Sequence, residues 1–458
     1  MDNSRYMITL AATCTTILVA TSMLARGGPL TPPAGPVAPT MVTLDTVEPR
    51  IPIGPDTTPG DSANLYRISE PGSYILTANL TGESGKTGIR VDASNVTLDL
   101  RGFTLTGVAG SREGIRIGGN DVIIRNGFIT NWERQGIRAF SELSQRGAVI
   151  ENVHAIDNGD DGIEIFTGGV LRHCVARSND AHGFKTNSNC LIEACISRNN
   201  IEDGFNTASG CIFRGCAAYQ NFGNGFHPGS HSQLSECIGN GNTLSGFDVP
   251  EHCVLTACAA GTNFSNGFSA AGNAVMRGCS AGVNGAAGFD TGPACVVTET
   301  TAASNQSAGI STGSGSVATC STARGNQSFG VIVAEGGAAG FLGLTDNLTG
   351  IYCGGTLVAS GAFENQSNGI EVRGMAAFCA VEDNQASGIS ANGSSRIHGC
   401  VSFSNDVHGF TQAGTPNIFS ANSAFFNGDQ NYQGTYTNQN TTTPIGAGPW
   451  QNTANALP

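Results

Sequence analysis

A glycine followed by an apolar residue recurs at Gly162, Gly183, Gly204, Gly225, Gly246, Gly267, Gly288, Gly309 and Gly330, eight consecutive steps of 21 residues. Four residues before each stands an asparagine: Asn158, Asn179, Asn200, Asn221, Asn242, Asn263, Asn284, Asn305 and Asn326. The beat continues more loosely at Gly88, Gly114 and Gly136 upstream. Downstream it continues at Gly350, Gly369, Gly388 and Gly409, where Asp346, Asn365, Asn384 and Asn405 fall in the asparagine slot. A fixed period of this size means stacked repeats, each too small to bury its apolar side alone. The 458-residue chain is therefore expected to form one long domain rather than several.

Within one period the apolar residues sit in short alternating runs. In Gly183–Asn200, Phe184 and Thr186 face inward on a first strand with Lys185 outward; Cys190 and Ile192 face inward on a second, and Cys195 opens a third. Three strands in 21 residues predict an all-β triangular coil, successive coils pairing in parallel about 4.8 Å apart. Sixteen glycine markers predict about 16 coils. With 64 glycines and only 12% charged residues, the chain lacks the material of a helical solenoid. A formal net charge of −13 argues against a nucleic-acid partner, which needs clustered Lys and Arg.

Around this repeat, residues 1–26 hold Arg5 and an apolar run from Tyr6 to Leu24, read as a signal peptide or a membrane anchor. If the signal is cleaved, the mature chain has no membrane span and is secreted, periplasmic or at the cell surface. Residues 27–60 read as a Pro/Gly/Thr-rich linker. Residues 61–87, with Tyr66, Ile68, Tyr74 and Leu76 around Pro71-Gly72, read as an N-terminal cap. The stacked coils are expected over 88–414, with extra residues in loops at 107–113 and 140–146. A C-terminal cap holding Phe419, Phe425 and Phe426, and a tail, complete the chain over 415–458.

Residues at equal phase form columns. The asparagines can bond both a buried turn and one another along the axis. Cys174, Cys195, Cys216, Cys237, Cys258, Cys279 and Cys400 share one column, and Cys190, Cys211, Cys253 and Cys295 another; both read as ladders of buried thiols, since parallel stacking suits disulfides poorly. Phe184, Phe205, Phe226, Phe247, Phe268 and Phe289 alternate with isoleucine in their column, as core residues do. Two residues after each glycine lies an outward column: Arg90, Arg116, Arg138, Glu164, Lys185, Asn206, His227, Asp248, Ser269, Asp290 and Ser311. Arg116, Arg138, Glu164, Lys185, His227 and Asp248 are its candidates for holding a glycan; a plain solvated face is the competing reading.

The Asn-x3-Gly-Ile/Phe repeat, together with the opening segment over Arg67–Gly82 and Gly88–Gly107, resembles the pectate-lyase-like family and is similar to secreted planctomycete β-helix proteins. That resemblance implies a single-stranded right-handed parallel β-helix with N- and C-terminal caps. The scaffold hosts lyases, hydrolases, epimerases, tailspikes and adhesins, so activity must be argued from residues. Gly159-Asp160-Asp161, followed one coil on by His182-Gly183, matches two parts of the polygalacturonase-like set and nominates Asp160, Asp161 and His182 as catalytic. No Asn-Thr-Asp precedes them and no Arg-Ile-Lys follows, while the turn slots that hold them take Glu202, Asp203 and His408 elsewhere, as a tolerant surface slot would. The epimerase motif Asp-Pro-His is also absent. The expected function is an exported rod that binds polysaccharide or acts at the cell surface, with no cofactor and no protein-bound metal. The alternative is a polyuronate lyase or glycoside hydrolase, calcium serving in the lyase case through oxygen ligands such as Asp157.

Overall fold

The computed structural model describes residues 50–139, 147–414 and 417–433, and the backbone of 453–454. The expected export segment, most of the linker and the loop at 140–146 lie outside the described residues. Among the described residues every regular element but isolated turns is a strand, and no helix is long and apolar enough to cross a membrane.

Each regular coil contributes one short strand to each of three faces; in the coils of Val122–Thr130 and Val149–Ile156 one strand spans the second and third. In the coil after Gly183 the three are Phe184–Thr186, Leu191–Glu193 and Ile196–Arg198. Every strand pairs in parallel with its counterparts one coil before and one after: Phe184 lies between Ile163 and Phe205, Ile192 between Leu171 and Phe213, Ser197 between Ala176 and Ala218. First-face rungs run in an open series from Asn64–Ile68 to Gln430–Gln433, 18 in all. The sixteen expected from glycine markers falls two short because the terminal rungs carry no marker. Tyr66 stacks beneath Ile89 and Tyr432 above Phe410, taking the apolar slot without a glycine before it. Strand pairing also begins earlier than composition suggests: Ile51–Pro52, inside the stretch read as linker, pairs with Tyr74–Ile75. The segment it opens closes the first coil, burying Ile53 and Thr58 and bridging Pro59 to Tyr66.

The corners turn on single residues with left-handed backbone, three to a regular coil. In the same coil they are Asn189, Ala194 and Asn199, at φ of 58°, 50° and 55°. Such a conformation costs a non-glycine residue roughly 1–2 kcal/mol. Yet His173, Glu236, Thr262 and Val283 adopt it, because the ladders on either side fix the strand ends and leave the corner no alternative. Two readings are corrected here. Asp346 is such a corner residue, at φ 58°, and the asparagine column passes through Asn347 instead, since that coil is short by one residue between asparagine and glycine. Phe426 is another, at φ 55° and exposed, so of the three cap phenylalanines only Phe419 is fully buried.

Inside, identical residues stack. The six phenylalanines from Phe184 to Phe289 are fully buried, with ring centroids 4.7–5.0 Å apart and planes within 9° of parallel. Thirteen of the described cysteines are buried free thiols; Cys320 occupies an exposed corner slot at φ 50°. Burial pushes the Cys253, Cys295 and Cys353 thiols up, Cys353 to about 11, so they stay neutral and inert. The asparagine column forms an unbroken amide ladder from Asn158 to Asn427. In it Asn242 Oδ1 accepts the backbone N–H of Asn221 at 3.0 Å and its side-chain N–H at 3.1 Å, while Asn242 Nδ2 donates to Ala218 O at 3.3 Å. At its upstream end Trp132 replaces the amide, donating its backbone N–H to Asn158 Oδ1 and its indole N–H to Leu105 O.

The repeated glycine exists because this ladder passes beside it. A Cβ on Gly204 would lie 2.6 Å from Gly225 O and 2.7 Å from Asn221 Nδ2, neither of which can yield. Asn242→Ala is expected to lower stability by about 1–3 kcal/mol, the cost of leaving buried amides unsatisfied. Gly204→Ala should cost at least as much. Gly168→Asn, at a left-handed corner with open space around it, should be nearly neutral. Chemical unfolding of the three variants checks the order.

Candidate functional site

The first face carries the chemistry. Its outward column is in strict register: Arg67 stacks against Arg90, Arg90 against Arg116, Arg116 against Arg138, Arg138 against Glu164, Glu164 against Lys185, then Asn206 and His227. Four arginines on successive coils thus project along one line, about 4.8 Å per step. Residues 50–138 hold ten Lys and Arg against nine Asp and Glu, while the whole chain carries −13.

Beside this column, one residue before each glycine, runs a second polar row: Thr87, Glu113, Gln135, Asp161, His182, Asp203, Asn224 and Ser245. Most of these are buried, because the row lies in the turn between the amide ladder and the first face. Several accept the next coil's backbone N–H: Asp161 Oδ1 from His182 at 3.1 Å, His182 Nδ1 from Asp203 at 3.2 Å, Asp203 Oδ1 from Asn224 at 2.7 Å and Asn224 Oδ1 from Ser245 at 3.0 Å. The tolerant surface slot expected here is therefore corrected in part. Glu202 is exposed, but Asp161, Asp203 and His408 are inside.

Two buried carboxylates anchor the cations above them. Glu113, with its side chain fully enclosed, accepts a bond from Thr87 Oγ1 at 2.9 Å and lies 3.9, 3.6 and 3.8 Å from Arg116, Arg134 and Arg138. Burial pulls its pKa up, but the hydrogen bonds and the guanidinium groups outweigh burial and hold it below the usual carboxylate value. Asp161, equally enclosed, lies 3.4 Å from Lys185 Nζ. Burial there outweighs the lysine and raises the Asp161 pKa. Glu164 is also raised by burial, despite Arg138 Nε at 3.0 Å. Burial lowers the Lys185 pKa, yet Asp161 and Glu164 more than offset it, and the ammonium group is stabilised overall.

The structure places the nominated residues as follows. Asp161 and His182 are joined through the His182 backbone N–H, while Asp160 turns to Gln135, whose Nε2 donates to it at 2.7 Å. His182 Nε2 points to Glu202 at 2.9 Å. Arg116, Arg138, Glu164 and Lys185 form one contiguous strip. His227 lies two coils beyond Lys185, between Asp203 and Asp248 at 3.7 Å from each. Arg67 and Arg134 on the same strip, and Glu113 and Asp203 beneath it, were not nominated as site residues from the sequence. The signal was present: the polar row precedes each of the eight glycine markers from Gly88 to Gly246, but only its Asp161 and His182 members drew attention through a motif. Among the described residues no cluster of three or more His, Cys, Asp or Glu could hold a metal.

The family model described as a right handed beta helix region matches residues 72–244. Over those residues the chain matches a right-handed β-helix, and the parallel stacked coils of the described residues have that architecture. Among solved structures it is similar to the A-module of a mannuronan C-5 epimerase from Azotobacter vinelandii, at 14% identity, covering 80% of this chain and 90% of that one with a TM-score of 0.27. A pectate lyase is similar at 14% identity, covering 83% and 71% with a TM-score of 0.21. A siphovirus tailspike receptor-binding domain is similar at 12%, covering 80% and 71% with a TM-score of 0.24. None of the three carries a residue or an activity across to this chain. No curated protein matches the sequence.

The anchors set opposite pH dependences. Asp161 and Glu164, raised in the folded chain, take up protons there first. Their contribution to stability is complete below the unfolded values of about 4 and is lost as pH rises through the folded values. Glu113, lowered when folded, contributes above about 4, and that contribution is lost as pH falls through its folded value. Asp161→Asn should therefore remove part of any gain in stability between neutral and mildly acid pH, and Glu113→Gln should flatten the loss below about pH 4. Melting temperatures of both variants and the parent chain, taken across pH, check this.

Proposed function

We propose that this chain is an exported β-helix that binds an acidic polysaccharide along the first face of its N-terminal coils. The observation that supports the reading is the in-register stack of Arg67, Arg90, Arg116 and Arg138, the first two paired with Asp92 and the last two lying over the buried Glu113. A polymer with one acid group per sugar meets a cation on each coil it crosses, and the guanidinium fork suits carboxylate or sulfate oxygens. Glu113 holds Arg116, Arg134 and Arg138 in place before the ligand arrives, which lowers the ordering cost of binding. Glu164 and Lys185 continue the strip and can take hydroxyl groups; His227 and Asp248 form its far end.

A catalytic reading with Asp160, Asp161 and His182 needs a carboxyl group that reaches the sugar. Asp161 is fully enclosed beneath Lys185, which favours an anchoring role for it over acid–base work. Binding without turnover is therefore the preferred reading, and a lyase or hydrolase is the outcome that the assay is designed to expose.

The purified protein should retain polyuronate or sulfated polysaccharide, but not neutral glycan, with affinity falling as salt rises. Arg116→Ala and Arg138→Ala should each weaken binding about tenfold or more, at roughly 1.5–3 kcal/mol for a charge-assisted hydrogen bond. Arg324→Ala, an exposed pair partner far along the helix, should leave binding unchanged. New reducing ends or unsaturated-uronide absorbance during the incubation would replace the binding reading with hydrolase or lyase respectively.

A further inference from the structure

The second face carries a different pattern. Its outward charged row reads Asp99, Arg125, Glu151, Arg172, Glu193 and Arg214 on six consecutive coils, each in register with the next and opposite to it in sign. Two residues earlier on the same strands runs an outward row of Thr97, Ile123, Val149, Val170, Leu191 and Ile212, also in register and apolar after the first. Both rows are half-exposed over most of their length. Arg172 already bridges Glu151 at 3.3 Å and Glu193 at 3.2 Å, so the row is rigid and neutral as a unit.

A row that alternates in sign with an even number of rungs is complementary to its own reverse. A two-fold axis in the contact plane, parallel to the strands and passing between Glu151 and Arg172, reverses the coil order while keeping each row opposite itself. Arg125 then faces Glu193 of the second copy, and Glu151 faces Arg172. The apolar row meets itself likewise, Ile123 against Leu191 and Val149 against Val170. A slip of one coil, or a parallel arrangement about an axis along the charged row, puts like charges together and is disfavoured. Asp99 adds little, being covered by Arg50 at 3.2 Å and Arg125 at 3.3 Å.

We propose that this face is the contact between two antiparallel copies of the chain, the apolar row supplying the buried area and the alternating row fixing direction and register. Six coils about 4.8 Å apart and three residues wide give roughly 290 Å² per copy. That is small beside the roughly 800 Å² per partner of a standard interface, so the dimer is expected to be weak and reversible. Because the contact lies on the second face, it leaves the arginine strip of the first face free. The inference does not depend on the proposed function.

Sedimentation velocity on the full chain, over a range of concentration and salt, tests this with two charge variants. Glu151→Arg with Glu193→Arg makes the row from Arg125 to Arg214 all positive; Arg125→Glu with Arg172→Glu makes Asp99 to Glu193 all negative. The parent chain should show a concentration-dependent dimer, each variant alone should remain monomeric, and a 1:1 mixture of the two should regain the dimer. A parent chain that stays monomeric at every concentration, or dimers of both variants unaffected by the reversals, would overturn the proposal. So would a mixture that fails to associate while the parent does. If a charge variant does not fold, Ile123→Asn with Leu191→Asn alters only the outward apolar row and should likewise abolish the dimer; persistence of the dimer would count against this face.

Discussion

The contact on which the rest of the structure depends is the approach of the asparagine amide to the glycine backbone one coil away. Each amide must reach the next amide, and the backbone N–H of the preceding asparagine and a carbonyl of the preceding coil, at once, and only a residue without a Cβ leaves room for it. This couples two columns that sequence shows separately. The glycine repeats along the axis for a steric reason and the asparagine for a hydrogen-bonding one, and neither is satisfied without the other. With that contact fixed, the phenylalanine stack and the thiol columns follow as fillings of a constant cross-section.

Where the chain departs from the contact, the coil changes to suit. Trp132 ends the amide ladder by filling its space with an indole, and the coils upstream of it, which hold no ladder, need glycine at 82, 88, 107 and 114 to admit the ring or the backbone beside it. Downstream, the shorter coil before Gly350 shifts the amide from the expected position to Asn347, and the ladder continues without a break. The ladder therefore tolerates a change in coil length more readily than the loss of an amide, because its geometry depends on the rise between coils rather than on the residues between its members.

What the sequence made legible was whatever repeats with a narrow choice of residue. Glycine, asparagine, phenylalanine and cysteine columns each admit few alternatives, so period, facing and parallel stacking could all be read from them. The corners could not. Any residue forced into left-handed backbone by its flanking ladders will do there, and Ala194, Glu236 and Val283 leave no compositional trace of it. The buried polar row was missed for a related reason: Thr, Glu, Gln, Asp, His and Asn all satisfy one turn, and such variety looks like tolerance at a surface. Its depth comes from the turn's position beside the amide ladder, which is a property of the fold and not of any single coil.

Stacking in register places like residues on like, a benefit for rings and amides and a difficulty for charge. Two unit charges held at the rung spacing of about 4.8 Å repel by roughly 3.5 kcal/mol at an effective dielectric of about 20. The chain resolves this in two ways. On the second face it alternates sign from Asp99 to Arg214, so the row is neutral within itself and its pattern matters only to another row of the same kind. On the first face it keeps four arginines together and sets Asp92, Glu113 and Glu164 among or beneath them. Glu113 is enclosed, so it offsets the repulsion from below without covering the outer edges of the guanidinium groups. An outward carboxylate on every coil would have neutralised the row as completely and closed it to an anionic ligand. Placing Glu113 inside, while Asp92 and Glu164 stay partly exposed, leaves Arg116 and Arg138 open to the anionic ligand proposed for this face.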